Sequence, residues 1–156
     1  MRVLLTGMSG TGKSALVQEL RRRGYAAYDA DEGFSEPRAD GRWGWRVDLV
    51  AELLAAAEGL LFFAGCSEEQ IELPFDYRVL LTAPVSIILQ RLATRTGNSY
   101  GREADELSQI LANLAEVEPR LRRSADLVLT TTASSLQLAD QLLERVAELE
   151  HGRGIR

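Results

Sequence analysis

The stretch Gly7-Met8-Ser9-Gly10-Thr11-Gly12-Lys13-Ser14 constrains this chain more than any other. It follows a short apolar run, Arg2–Thr6, and precedes Ala15–Arg23, where Leu16, Val17 and Leu20 share one helical face. Strand, glycine-rich turn and amphipathic helix in that order fit a G-x-x-x-x-G-K-S phosphate-binding loop. Glycines lack a Cβ, so the backbone of such a loop can close around an anion. The N–H groups from Gly7 through Ser9, Gly10, Thr11 and Gly12 then point inward as a nest. The helix that starts near Lys13 adds its positive end. Lys13 would place a flexible ammonium against β and γ phosphates, and Ser14 would give a hydroxyl ligand to Mg²⁺.

Composition sharpens this reading. Lysine and arginine number 18 together, and Lys13 is the only lysine. The lysine therefore stands where a compact point charge is needed and a planar guanidinium would be the wrong shape. One cysteine, Cys66, and one histidine, His151, exclude a Cys/His zinc site and an intrachain disulfide framework. A cytoplasmic setting is expected on that ground. His151 lies in a polar tail and offers no general base. No apolar stretch reaches membrane-spanning length, so no membrane partner is expected. A net charge of -5 argues against a nucleic-acid partner. With 156 residues the chain is expected to form one domain, 1–156.

Further along, apolar runs alternate with helical patterns. Strands are expected at Tyr25–Tyr28, Leu60–Ala64, Arg78–Thr82 and Asp126–Thr130. Helices are expected at Val47–Ala57, from Pro84 to Arg95, at Glu103–Val117 and at Ser134–Glu150. Residues 33–46 read as an irregular loop, and Ser67–Leu73 as a short helix or turn. Alternation of this kind predicts a mainly parallel sheet with helices on both faces. The polar Thr96–Arg102 segment is a candidate lid.

Ligands of parallel α/β sheets sit beyond the carboxyl ends of the strands. Asp29 and Asp31 follow the second strand, so they should face the phosphate loop. Two carboxylates one residue apart can divide the work. Asp29 is assigned to the metal side, and Asp31 to a substrate hydroxyl that it orients or deprotonates. The third strand ends in Ala64-Gly65-Cys66-Ser67, where Gly65 and Ser67 could line an acceptor pocket. Cys66 reads as a small structural residue.

Arg91 and Arg95 lie four apart on one helical face, just before the lid. One can stack on a nucleobase while the other reaches phosphate; the alternative is a solvated helix end. One of Arg120, Arg122 and Arg123 is expected to face the cleft, whereas Arg21–Arg23 read as structural. Residues 33–46 form a candidate acceptor region containing Arg42, Trp43, Trp45 and Arg46. Its tryptophans are either core anchors or walls of an acceptor pocket.

With these motifs the chain resembles the small P-loop kinases, the group of shikimate, gluconate and adenylate kinases, and small AAA-type ATPases. The resemblance spans nearly the whole chain. It implies a three-layer α/β/α P-loop NTPase fold, with a five-stranded parallel sheet in the order 2-3-1-4-5 and a short lid. Y-D-A-D resembles the acidic pair of shikimate kinases, which gives Asp29 the Mg²⁺ side and Asp31 the acceptor. Q-R-L-A-T-R-T-G resembles the helix entering the lid of nucleoside monophosphate kinases, which implies Arg91 on adenine and Arg95 on phosphate. Arg46 lies roughly where shikimate kinases place an acceptor-binding arginine. Three stretches depart from shikimate kinases: A-G-C in place of a triple glycine, T-G-N-S-Y-G in the lid, and the W-G-W insertion.

The function expected is Mg·ATP-dependent phosphoryl transfer to a hydroxyl of a small polar metabolite. Lys13, Asp31 and Arg95 would be catalytic, and Asp31, Trp43, Arg46 and Gly65 would contact the acceptor. The alternative is a nucleotide-binding switch or weak ATPase acting through a protein partner. The expected assembly is a monomer or weak homodimer.

Overall fold

The computed structural model describes residues 1–8, 10–94 and 104–154. Ser9, Arg95 and the candidate lid at 96–102 lie outside the described residues.

The central strand β1 (Arg2–Thr6) pairs with β5 (Leu61–Ala64) on one side and β6 (Tyr77–Thr82) on the other. Beyond these lie β2 (Ala26–Asp29), against β5, and β7 (Leu127–Thr130), against β6. All four pairings are parallel, and the order is β2-β5-β1-β6-β7. Counting only the strands of this sheet, the order is 2-3-1-4-5, as expected.

Side-chain alternation along the strands builds the three layers. Val3 and Leu5 of β1 face one core with Leu16, Val17 and Leu20 of α1 (Lys13–Arg22) and Leu138, Leu142 and Val146 of α6 (Ser135–Gly154). Leu4 faces the other side, where Phe63 and Trp45 pack with Val50 and Leu54 of α2 (Val47–Ala55). A third cluster joins Ile88 and Leu92 of α3 (Val85–Thr94) to Ile110 of α4 (Ala104–Glu116). Ser134 caps α6 by accepting the Gln137 N–H at 3.3 Å.

Three local expectations need correction. Residues 33–46 are not wholly irregular: β3 (Ser35–Pro37) and β4 (Trp43–Trp45) form an antiparallel hairpin. Strands of three residues are too short to show an alternating pattern. A short helix, α5 (Glu118–Ser124), separates α4 from β7. Pro119 in its first turn starts it, and Leu121 alone is buried, so no apolar stripe announces it. The last helix continues through His151, whose Nδ1 lies 3.0 Å from the Ala147 carbonyl oxygen, so that tail is helical.

Candidate active site

The phosphate-loop motif spans the gap between β1 and α1 at the carboxyl end of the sheet. Gly10 and Gly12 adopt φ of 85° and 92°, a left-handed backbone that side chains with a Cβ rarely take. At Gly10, an added Cβ would also lie 2.8 Å from Ile88 Cγ2, so α3 closes on the loop only because that side chain is missing. Thr11, buried, donates its hydroxyl to the Met8 carbonyl at 2.7 Å and its N–H to the same oxygen at 3.3 Å. The loop is thus preformed by its own bonds.

Helix α1 begins at Lys13 with no acidic residue of its own in its first turn; the carboxylate nearest that end of the dipole is Asp29, from β2. Lys13 Nζ donates to the carbonyl oxygens of Gly7 at 2.5 Å and Met8 at 3.0 Å. The ammonium therefore folds back over the start of the loop.

Register brings the acidic pair to the same place. Asp29 ends β2 beside Ala64 of β5, and Ala64 pairs in turn with Leu5 of β1. Asp29 is buried, and its Oδ2 accepts the Ser14 hydroxyl at 2.7 Å. Its Oδ1 accepts the Asp31 N–H at 3.0 Å, a local turn that fixes where the chain leaves the strand. Asp31 itself is exposed, two residues beyond the end of β2. Its carboxyl is pushed above the ordinary aspartate range by surrounding protein, then by the charge of Asp29, with Lys13 pulling the other way.

A hydroxyl and a carboxylate in contact suit a hard cation such as Mg²⁺. No cluster of three or more acidic, His or Cys ligands occurs among the described residues. Ser14 and Asp29 therefore fit Mg²⁺ only as a partial set, which oxygens from outside the chain would have to complete, as is usual for that ion.

Arg91 backs the loop from α3. Its Nη1 donates to the Gly10 carbonyl at 3.1 Å and to Thr131 Oγ1 at 3.0 Å, and its Nη2 to the Thr131 carbonyl. Thr131, buried, was not singled out in the sequence; it follows β7 and ties its N–H to the Thr82 carbonyl at 2.7 Å. Glu118 also emerges only from the fold: at the start of α5 it accepts the Thr82 hydroxyl, and it accepts Arg122 at 3.5 Å. Arg123 bonds the Pro119 carbonyl, and Arg120 is exposed.

The candidate acceptor region, 33–46, divides. Trp45 is a core anchor, 2% exposed, whereas Trp43 is 70% exposed. Gly65 makes room for Trp45. A Cβ there would meet Ala30 Cβ at 2.7 Å and Trp45 Cζ2 at 2.9 Å, so the indole sits directly against the backbone just after β5. The Gly65 N–H donates to Leu5 O at 3.0 Å. Arg46 stands exposed at the start of α2, with its N–H on the Phe34 carbonyl at 2.7 Å.

Arg38 joins the hairpin to the segment after β5. It donates to the Trp45 carbonyl at 2.8 Å and forms an ion pair with Glu69. Glu69 lies in a 3₁₀ turn (Glu68–Glu72) and also accepts the Ser67 hydroxyl. Gln70, two percent exposed, accepts Thr6 Oγ1 at 3.1 Å and the Ser67 N–H at 3.2 Å. The Ser67-x-x-Gln70 spacing is a capping-box signature visible in the sequence, although the bond to Thr6 is not.

Arg21–Arg23 are structural, as expected. Arg22 and Arg23 both bind Glu19, Arg23 reaches Asp140, and Arg21 pairs with Glu32. A cleft of about 290 Å³ between Tyr28, Leu53, Ala57 and Leu60 opens at the other end of β2 and β5, away from the motif. No helix among the described residues is long and apolar enough to cross a membrane.

Known proteins with this architecture include a shikimate kinase from Acinetobacter baumannii in complex with shikimate. It matches with a TM-score of 0.69 at 18% identity, over 94% of this chain and 93% of that one. A gluconokinase from Sinorhizobium meliloti 1021 matches with a TM-score of 0.69 at 19% identity, over 99% and 95% of the two chains. A shikimate kinase from Bacteroides thetaiotaomicron gives 0.64 at 21% identity, over 95% and 98%. At these identities the likeness is one of fold. No curated protein gives a significant sequence match. The sequence profile of the AAA domain family matches residues 3–112, more than two thirds of the 156 residues. By that match the chain belongs to the AAA domain family.

Proposed function

We propose that this protein is a small-molecule kinase that transfers the γ-phosphoryl group of Mg·ATP to a hydroxyl of a small polar metabolite. The observation that carries the reading is the contact of Ser14 with Asp29, beside Lys13, with the Asp31 backbone held by Asp29 two residues further on. Folds shared with shikimate kinases and a gluconokinase support it.

The nucleotide phosphates would lie in the nest of Gly7–Ser14, drawn by N–H groups and the end of α1. Lys13 would exchange its loop carbonyls for phosphate oxygens, a stronger bond because both partners are charged. Ser14 and Asp29 would hold Mg²⁺, which when bound supplies positive charge to the phosphates. Asp31 would accept the acceptor's hydroxyl proton as its oxygen bonds to phosphorus and ADP leaves. A carboxyl with a raised proton affinity is better matched to that task near neutral pH than an ordinary aspartate. Arg95 is assigned to the transferring phosphate, Arg91 to holding the loop beside adenine, and residues 96–102 to a lid. Residues 33–46 are the proposed acceptor side, with Arg46, Trp43 and Gly65 as contacts. The proposed setting is cytoplasmic.

Labelled ATP and Mg²⁺ supplied with a metabolite pool should yield a phosphorylated small molecule. Asp31→Asn should reduce that transfer by about 10²–10⁴-fold. Lys13→Ala should lose ATP affinity in calorimetry while keeping its circular dichroism; unchanged affinity would overturn the loop assignment. A second reading, a weak ATPase or nucleotide switch acting through a protein partner, is favoured by one observation. Strand β5 ends in Ala64-Gly65-Cys66 with no acid, and Glu69 is committed to Arg38 and Ser67. Loss of ATP that does not depend on any metabolite would select it.

A further inference from the structure

The hairpin and the phosphate loop are far apart in sequence, yet one hydrogen-bonded chain joins them. It starts at Thr6, the last residue of β1 and the one before Gly7. The Thr6 hydroxyl donates to Gln70 Oε1, and the same oxygen accepts the Ser67 N–H. The Ser67 hydroxyl continues to Glu69, Glu69 to Arg38, and Arg38 to the Trp45 carbonyl on β4. Gly44 makes the last step possible: a Cβ there would lie 2.7 Å from Arg38 Cζ, so the guanidinium lies directly on the strand.

Gln70 is the costly member of the chain. A buried polar side chain that could be replaced by an apolar one is tolerated only when its bonds are made. Gln70 makes two from one oxygen and so fixes the end of β1 against the turn after β5. Glu69 reinforces the other end. Partial burial works against its ionisation, but bonds from Ser67, from its own backbone N–H and from Arg38 outweigh that and hold its carboxyl below the ordinary glutamate range. A bonded network of this kind, buried at its Thr6–Gln70 end and partly buried at Glu69 and Arg38, favours one geometry.

We propose that Gln70 is a positioning residue: through Ser67, Glu69 and Arg38 it couples nucleotide binding at the phosphate loop to the placement of the β3–β4 hairpin. The inference rests on reading Gly7–Ser14 as a nucleotide site and goes beyond it, because it assigns the link between the two halves of the cleft. Phosphates entering the nest would pull on the residues after Thr6. The bond to Gln70 carries that pull to the turn, and the Glu69–Arg38 pair carries it to β4.

The molecule holds its own reporter. Its two tryptophans, Trp43 and Trp45, both lie on β4, and Trp43 is exposed enough to be replaced cheaply. A Trp43→Phe chain leaves buried Trp45 as the sole indole. Titration with the non-hydrolysable Mg·AMP-PNP should change its fluorescence. In a Trp43→Phe, Gln70→Leu chain that change should fall by about fivefold or more, with calorimetric affinity kept within about threefold. Gln70→Glu keeps an acceptor for both Thr6 and Ser67 and should restore the signal, which a loss of packing alone would not predict. Glu69→Ala cuts the chain at its more exposed end and should silence Trp45 even where Gln70→Leu fails to fold.

Binding of Mg·AMP-PNP with no Trp45 response overturns the coupling and leaves the nucleotide reading intact. A full response in Glu69→Ala or Gln70→Leu also overturns it, as does a bound Gln70→Glu chain that stays silent. Failure of the unsubstituted chain to bind Mg·AMP-PNP in calorimetry sinks the site assignment itself and the coupling with it.

Discussion

Ser14 and Asp29 are in direct contact: the hydroxyl at the start of α1 donates to the carboxylate at the end of β2 across 2.7 Å. The bond joins the first helix to a strand that is two places removed from β1 in the sheet. It brings an oxygen pair to the mouth of the loop, and it also gives a buried carboxylate a partner.

Ser14→Ala removes that partner. Leaving a buried acceptor short of a bond costs about 1–3 kcal/mol, so the variant should unfold at lower denaturant concentration. Under the proposed function it should also lose the Mg²⁺-dependent part of ATP affinity while binding metal-free ATP as before. Calorimetry with and without Mg²⁺ separates the two. Equal loss in both titrations would argue against a metal role for Ser14.

Asp31→Asn should raise stability at neutral pH as it lowers activity. The folded carboxyl holds its proton more tightly than the unfolded one, whose ordinary value is 3.8. Its charge therefore destabilises the fold as pH rises above that value, most fully above the raised folded value. Below 3.8 both states are protonated and the difference between variant and wild type should vanish. Thermal melts from pH 3 to pH 8 test this; a gap that stays constant with pH would contradict the assignment.

Glu19 predicts the opposite slope. Hydrogen bonds from Arg22 and then Arg23 lower its carboxyl from the ordinary 4.5 to about 2. The stabilisation is fully present above 4.5 and is lost as pH falls towards 2. Glu19→Gln should flatten the acid limb of the stability profile over that interval and change it little in shape above. Parallel acid titrations of both chains by circular dichroism would show it.

The two tryptophans should separate cleanly. Trp45→Ala empties a packed site against Phe63 and Gly65 and should cost about 3–5 kcal/mol. Trp43→Ala, on an exposed side chain, should stay within about 0.5 kcal/mol. Gly65→Ala should be destabilising for the opposite reason, overpacking, since its methyl would meet Ala30 and the Trp45 indole. Denaturant melts of the three chains rank these effects, and a stable Gly65→Ala would mean that Trp45 can move away.

Much of the frame was legible because it rests on local patterns. The loop motif, the strand–helix alternation and the Asp29–Asp31 pair each occupy a few consecutive residues with their chemistry intact. The sheet order followed from resemblance and is the one observed. The hairpin at Ser35–Pro37 and Trp43–Trp45 was not legible, since its pairing gives three-residue strands no pattern of their own. Helix α5 was missed because a single buried leucine, Leu121, makes no stripe.

The sequence by itself determined a glycine-rich G-x-x-x-x-G-K-S turn at Gly7–Ser14, a parallel α/β core, and an acidic pair after the second strand. Those follow from backbone sterics, hydrophobic period and spacing, all of which act over short distances along the chain. Tertiary structure alone decided which tryptophan is core, that Arg91 is tied to Gly10 and Thr131, and that Gln70 binds Thr6. These pairs are separated by tens of residues, and only the closing of the sheet sets which polar atoms are buried together and must find one another.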